Sequence, residues 1–216
     1  MKFEILYRDS DLVAVNKPEN IAAVPERAND PECLSALVSQ SLGTKAWPVH
    51  RLDKEVSGVI LFALHADAHR FLNTAFENRH VQKTYLAVVH GVPIENEGLI
   101  DRPIREFGSG RMGVDPRGKP SVTAFRVLKR GADFSLLEVS PRTGRRHQIR
   151  VHLYSLGHPI VGDLRYGDPA KQKSFPRLML HASTITLTLP SGKPLSLHDV
   201  PSATFAGALS ALQLAL

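Results

Sequence analysis

Residues 49–64 read Val-His-Arg-Leu-Asp-Lys-Glu-Val-Ser-Gly-Val-Ile-Leu-Phe-Ala-Leu, a polar segment that feeds an unbroken apolar run from Val59 to Leu64. A short, continuous apolar run with β-branched members reads as a strand buried on both faces. Asp53 stands at the mouth of that strand, behind Arg51 and ahead of Gly58. Two readings of it stand side by side. Polar groups at the ends of rigid elements are where active sites are built. An aspartate in a short polar segment also caps the backbone of its own turn.

Working outward, Ile5–Tyr7 and Leu12–Val15 flank Arg8-Asp9-Ser10-Asp11 and read as a hairpin. Residues 25–31 read as a polar loop, and Cys33–Leu42 as a helix ended by Gly43. Asp67 is placed to cap a helix through Phe76, with Ala68, Phe71, Leu72, Ala75 and Phe76 on one face. Tyr85–Val89 reads as a strand closed by Gly91. Residues 105–120 read as a long loop or irregular hairpin, and Val122–Leu128 with Phe134–Val139 as a second hairpin. A helix is expected over Arg146–Leu156, stopped by Gly157, with Arg150 at the edge of its apolar stripe. Residues 167–176 read as another loop, Leu178–Leu189 and Leu195–Leu197 as strands, and 202–216 as a closing helix. Strands outnumber helices and many are joined as hairpins. The expected class is α+β, a mixed and mostly antiparallel sheet with flanking helices, in a single domain over 1–216.

Composition narrows the function. No apolar run approaches the ~20 residues that span a bilayer, and the N-terminus does not read as a signal peptide. One cysteine, Cys33, precludes an internal disulfide and suits a reducing cytoplasm. Ten histidines form no HExxH-type pair, and no cysteine pair seeds a zinc site. The net charge is +6, but residues 101–150 hold 12 Lys and Arg against 5 Asp and Glu, a net of +7. A basic excess so localised suits a polyanion such as nucleic acid, or forms a solvated face.

Three further clusters stand out. Lys83-Thr84-Tyr85 opens a strand, and its tyrosine suits base stacking or proton transfer, although a plain strand aromatic accounts for it better. Arg142-Thr143-Gly144-Arg145-Arg146-His147-Gln148-Ile149-Arg150 sets arginines against the dipole of a helix start, which an RNA phosphate or a buried carboxylate would answer. The segment Gly157–Asp163, continuing to Tyr166-Gly167, reads as structural, with Asp163 anchoring a loop. Phosphate-loop, dinucleotide and nucleophile-elbow motifs are lacking. No second acid stands in a setting as marked as that of Asp53.

With these residues the chain resembles the pseudouridine synthases of the ribosomal large-subunit synthase A family. His50-Arg51-Leu52-Asp53 with Ser57-Gly58 matches the family's catalytic segment, and Asn16-Lys17-Pro18 its first motif. Lys83 through Gly91 matches its tyrosine strand, Arg142 through Gly167 its long third motif, and Leu180-His181-Ala182 its late leucine motif. The resemblance runs from about residue 5 to residue 200 and suggests the short form without an N-terminal RNA-binding domain. Asn20 departs from the usual glycine and Val56 from the usual threonine.

The resemblance implies the pseudouridine synthase catalytic fold and isomerisation of a specific uridine in a tRNA stem-loop, in large-subunit rRNA, or in both. It implies that Asp53 is the catalytic acid, paired with Arg150, with Tyr85 stacking on the flipped uracil or removing its proton. Leu180 would pack on the base, and Arg51 would bind phosphate or fill the gap left by the flipped nucleotide. His50 joins them on the substrate side. Arg111, Arg117, Lys119, Arg142, Arg145 and Arg146 would hold RNA. No cofactor and no metal are implied, and the expected protein is a cytoplasmic monomer with no membrane partner. The competing readings are an RNA-binding protein that keeps the fold without the reaction, and a glycosidase that releases free uracil.

Overall fold

Ile5–Arg8 (β1) and Leu12–Lys17 (β2) form the expected antiparallel hairpin in the computed structural model, which describes residues 3–25 and 32–215. The loop expected at 25–31 therefore lies, after Pro25, outside the described residues. Asp9 closes the hairpin, its Oδ1 accepting the N–H groups of Asp11 and Leu12, both at 2.8 Å. The chain forms two compact units: Met1–Lys83 with Ala182–Val200, and Thr84–His181 with Pro201–Leu216.

In the first unit, Leu34–Leu42 (α1) ends on the left-handed Gly43, as expected. Trp47–Pro48 (β3) and Ser57–Ala63 (β4) follow, then Ala66–Glu77 (α2). β2 pairs antiparallel with β4 from Leu12↔Ala63 to Lys17↔Gly58. Every residue of β4 is buried. Val59, Leu61 and Ala63 share a core with Leu12, Ala14, Ala68 and Leu72, and the alternate Ile60 and Phe62 are fully buried too. The two-faced burial read from the apolar run is therefore present, each large side chain contributing about 1.5–3 kcal/mol. The cap of α2 differs from expectation. The helix begins before Asp67, so His65 takes the capping place, accepting the Ala68 N–H on Nδ1 at 3.3 Å. Asp67 lies in the first turn, where a carboxylate favours the helix dipole, and pairs with Arg70.

The second unit receives Gln82–His90 (β5) from Thr84 onward. Glu97–Asp101 (β6), the small hairpin Ile104–Glu106 (β7) with Met112–Val114 (β8), Val122–Arg130 (β9) and Phe134–Pro141 (β10) follow. The strand order is β5-β10-β9-β6, each neighbour antiparallel. The glycine-rich 105–120 stretch is thus an irregular hairpin, one of its two expected forms. The arginine-rich helix is shorter than expected, spanning Gln148–Ser155 (α3). His147 is left-handed at φ 55°, and the Gln148 Oε1 accepts the Arg145 N–H at 3.0 Å and the Thr143 hydroxyl at 2.7 Å. That wrap holds Arg145 and Arg146 outside the helix. Residues 167–176 include a one-turn helix, Pro169–Gln172 (α4), capped by Asp168; the Asp-Pro pair is its start signal.

Leu180–Thr188 (β11) carries the chain back to the first unit, where Pro194–His198 (β12) pairs with it antiparallel. Ile185, Leu187 and Leu197 complete the core around β4. Ala203–Ala211 (α5), capped by Ser202, is the expected closing helix. No helix among the described residues is long and apolar enough to cross a membrane.

Gly58 fixes how closely β4 and β11 approach. It has φ 120°, and a Cβ there would lie 2.2 Å from the Ala182 carbonyl oxygen. Gly58→Ala is expected to lower stability by about 3 kcal/mol, or Tm by about 6–12 °C for a chain of this size. Gly144, with open space around it, is the control, and Gly144→Ala should leave Tm within about 2 °C. Thermal denaturation of the two variants checks the contrast.

Candidate active site

The segment between β3 and β4 is pinned by two apolar anchors. Leu52 and Val56 are buried, which leaves Asp53 half-buried and Arg51 exposed. The Val56 N–H donates to the Asp53 carbonyl at 3.1 Å and closes a turn. Beneath this turn lies Lys17, only 1% exposed. Its ammonium donates to the carbonyls of Pro18, Ile21 and Lys54 at 2.8, 2.7 and 2.8 Å. Lys54 follows Asp53 directly, so the end of β2 and the Asp53 turn share one buried cation. The sequence placed Lys17 in a motif without giving it a task. The available signal was a lysine ending an apolar strand.

His50, expected on the substrate side, also has a task within the fold. β3 leaves β4 after Pro48↔Phe62, and the His50 ring takes over the ladder, its Nε2 accepting the Leu61 N–H at 3.0 Å. The ring also stacks on Phe76 at 4.7 Å between centroids. Burial, with the Lys83 charge adding to it, pushes the imidazole down to about 3. The neutral ring braces β4.

In the second unit, Tyr85 is buried on β5 opposite Val139, and Leu180 is buried at the start of β11. Arg150, expected at the edge of the apolar stripe of α3, is buried, 3% exposed. Its Nε and Nη2 donate to the two oxygens of Asp163 at 2.8 and 2.9 Å. Asp163 also accepts the N–H groups of Arg165 and Tyr166 at 2.9 and 3.0 Å. Burial alone would raise the Asp163 pKa; the hydrogen bonds and charge of Arg150, helped by those two N–H groups, hold it below the ordinary carboxylate range. The buried carboxylate that an arginine at a helix start calls for is therefore Asp163. Tyr166, 1% exposed, lies under this pair, its ring centroid 5.3 Å from the Arg150 guanidinium.

The basic residues separate into two groups. Arg51, Lys119 and Arg142 are exposed and have no side-chain partner among the described residues. The others are engaged. Arg117 forks onto Asp115 at 3.0 and 2.8 Å, and Arg146 meets Glu106 at 3.1 Å. Arg145 reaches the Pro120 carbonyl at 3.3 Å, and the Arg111 guanidinium lies 5.3 Å from the Tyr166 ring centroid. Among the described residues no cluster of His, Cys, Asp and Glu is arranged to hold a metal ion.

Residues 11–155 match the family described as RNA pseudouridylate synthase. The chain belongs to this family. Its activity is accordingly the isomerisation of uridine in RNA to pseudouridine. The synthase is 40% identical over 191 residues to the dual-specificity RNA pseudouridine synthase RluA of Escherichia coli K12, covering 87% of each chain. It is 37% identical to the tRNA pseudouridine synthase C of Pectobacterium carotovorum, covering 90% of this chain and 58% of that one. Among solved structures, human RNA pseudouridylate synthase domain containing 4 matches with TM-score 0.81 and 28% identity over 97% of this chain and 92% of that one. Of the two departures from the family pattern, Asn20 has φ 66°. Asparagine is one of the few residues besides glycine that tolerate that conformation, so the backbone keeps the shape a glycine would give it.

Two outcomes follow from this geometry. Lys17→Met keeps the length of the side chain and removes all three donors. The synthase should lose about 2–4 kcal/mol of stability, and the Val56 amide should lose hydrogen-exchange protection while the amides of β5 keep theirs. An unchanged Val56 amide would refute the clamp. His50 stays neutral in the folded state down to about pH 3, whereas the unfolded chain protonates it near the ordinary value of about 6.5. Stability should therefore fall as pH drops from about 6.5 towards 3. His50→Gln, which keeps an acceptor for the Leu61 N–H, should flatten that slope in denaturant titrations run across the same range.

Proposed function

We propose that the synthase acts on a uridine in a compact stem-loop of tRNA, of large-subunit rRNA, or of both, with Asp53 as its sole essential carboxylate. The supporting observation is the seat of Asp53, a half-buried carboxylate on a turn that a buried ammonium and two apolar anchors hold still. Catalytic groups need such fixed placement. The target uridine flips out of the RNA at a cost of a few kcal/mol, least where it is already unpaired. Asp53 initiates cleavage of the bond between ribose and uracil N1. The freed base turns and rejoins the ribose through C5, and the proton on C5 is then lost. The reaction is an isomerisation that needs neither redox partner nor group donor, so it runs without cofactor.

Tyr85 serves as the stacking platform for the base and as the base that receives the C5 proton. Leu180 packs against the uracil. Arg150 is the functional partner of Asp53, and an opposite charge of that kind keeps a carboxylate ionised. Its fork onto Asp163 supports the reading, because it immobilises the guanidinium. Arg51, exposed beside Asp53, binds the flanking phosphate or fills the space the nucleotide leaves. Lys119 and Arg142 take further phosphates, with Arg111, Arg117, Arg145 and Arg146 beside them. The synthase works as a monomer in the cytoplasm.

The test is pseudouridine mapping by carbodiimide primer extension in tRNA and rRNA from cells with and without the protein. One or more uridines should remain unmodified in its absence. Wild-type protein should restore them, and Asp53→Asn should be slower by at least about four orders of magnitude. Restoration by Asp53→Asn would remove Asp53 from the mechanism, and release of free uracil would replace isomerisation by glycosidic cleavage.

A further inference from the structure

The tip of the β7–β8 hairpin reads Phe107-Gly108-Ser109-Gly110-Arg111. Glycine, serine and arginine suit a solvated turn; phenylalanine does not. Phe107 is 41% exposed and takes no part in the small core of Ile104, Met112, Val151 and Tyr166 next to it. Its ring is nevertheless held in place. Gly113 lies against it, so close that a Cβ there would come within 2.8 Å of a ring carbon. The glycine backbone is thus the bed of the ring. The Arg105 guanidinium lies 5.6 Å from the ring centroid. The Phe107 N–H donates to the Arg111 carbonyl at 2.9 Å, and the Gly110 N–H donates to the Phe107 carbonyl at 2.8 Å, closing the turn.

The hairpin that carries this ring is moored close to its tip. The Met112 N–H donates to the Tyr166 hydroxyl at 3.2 Å, and that hydroxyl lies 2.7 Å from His147 Nδ1. Arg165 donates to the Gly110 carbonyl at 2.7 Å, and Arg146 meets Glu106. An exposed, fixed aromatic ring therefore has the Arg105 guanidinium beside it, on a hairpin that carries Arg111 and to which Arg146 and Arg165 are bonded. Single-stranded nucleic acid is bound by that combination, with bases stacking on the ring and cations tracking the backbone.

We propose that Phe107 is a stacking platform for one unpaired base of the RNA substrate, apart from the uridine that is modified. This rests on the reading of the basic hairpin as an RNA-binding element. The base lies on the free part of the phenyl ring, and arginines on and beside the hairpin meet the phosphates on either side of it. Stacking of this kind is tolerant of base identity, so it fixes the position of a loop nucleotide without reading its sequence.

The experiment measures binding of the full chain to a short, end-labelled oligouridylate and to the same ribose-phosphate chain without bases, by fluorescence anisotropy over a range of salt. Wild-type protein should prefer the chain with bases. Phe107→Leu should reduce that preference about tenfold, with the affinity for the abasic chain and the salt slope unchanged. Phe107→Trp should keep the preference. If Phe107→Leu binds oligouridylate as the wild type does, while Lys119→Ala with Arg142→Ala weakens binding and lowers the salt slope, the platform is wrong and the RNA reading of the basic segment stands. If neither set of variants changes binding, the RNA reading of the hairpin falls with the platform.

Discussion

A single ammonium group deep in the protein holds the Asp53 segment in place. Removing a charge from water carries a large desolvation cost, recovered only where hydrogen bonds saturate the ion. Lys17 has three donors, and the three carbonyls of Pro18, Ile21 and Lys54 meet them within 2.8 Å. Two of these carbonyls belong to the chain just after β2 and the third to the turn just before β4. Because β2 and β4 are already zipped from Leu12↔Ala63 to Lys17↔Gly58, the cation sits where the ladder ends and the polar segments begin. Backbone that leaves a sheet must find new partners for its carbonyls. Here they find one charged donor, and the bonds are charge-assisted, stronger than those between neutral groups. The Asp53 turn is thereby fastened to the most buried strand pair in its unit.

The second unit solves a related problem with the other basic side chain. Arg150 is buried at the start of α3, where the helix dipole disfavours a cation, and Asp163 answers both the burial and the dipole with a two-pronged bond. Asp163 is itself held by two backbone N–H groups, so its carboxylate cannot swing away with its partner. A lysine would not do here, since the planar fork of the guanidinium is what matches the two carboxylate oxygens. An arginine would not do at position 17, where three carbonyls converge on a point. At each of these two positions the buried cation is of the type its acceptor geometry demands.

The strands were legible because their patterns are strong. The apolar run after Gly58 announced a strand buried on both faces, and each hairpin was bounded by turn residues. What escaped the sequence were decisions made by side chains acting on backbone. His65, not Asp67, caps α2 because an imidazole nitrogen accepts the Ala68 N–H and the helix starts two residues earlier than the acid suggests. α3 starts at Gln148 because that side chain bonds back to Thr143 and Arg145. His50 braces Leu61 because β3 ends and leaves a ladder donor without a backbone acceptor. None of these has a periodicity. The catalytic role proposed for Asp53 was equally illegible from its own neighbours; it came from the order of motifs along the chain, and the clamp beneath it became visible only in three dimensions.

The basic excess of residues 101–150 also means something different once its partners are known. Arg117 is 75% exposed in its side chain while its partner Asp115 is 10% exposed, so the acid lies below and the guanidinium is presented outward. Hydrogen bonds from the Arg117 side chain and backbone hold the Asp115 carboxyl well below its usual range, which keeps the pair intact across physiological pH. Such a pair has no net charge and adds little to the long-range field that draws RNA in. Its value is orientation, because a guanidinium that is already fixed loses little rotamer freedom when a phosphate arrives. The long-range attraction falls instead to cations without an acid beside them, such as Lys119 and Arg142. The formal charge of the segment therefore overstates the number of phosphates it neutralises, and the salt dependence of binding should follow the smaller number.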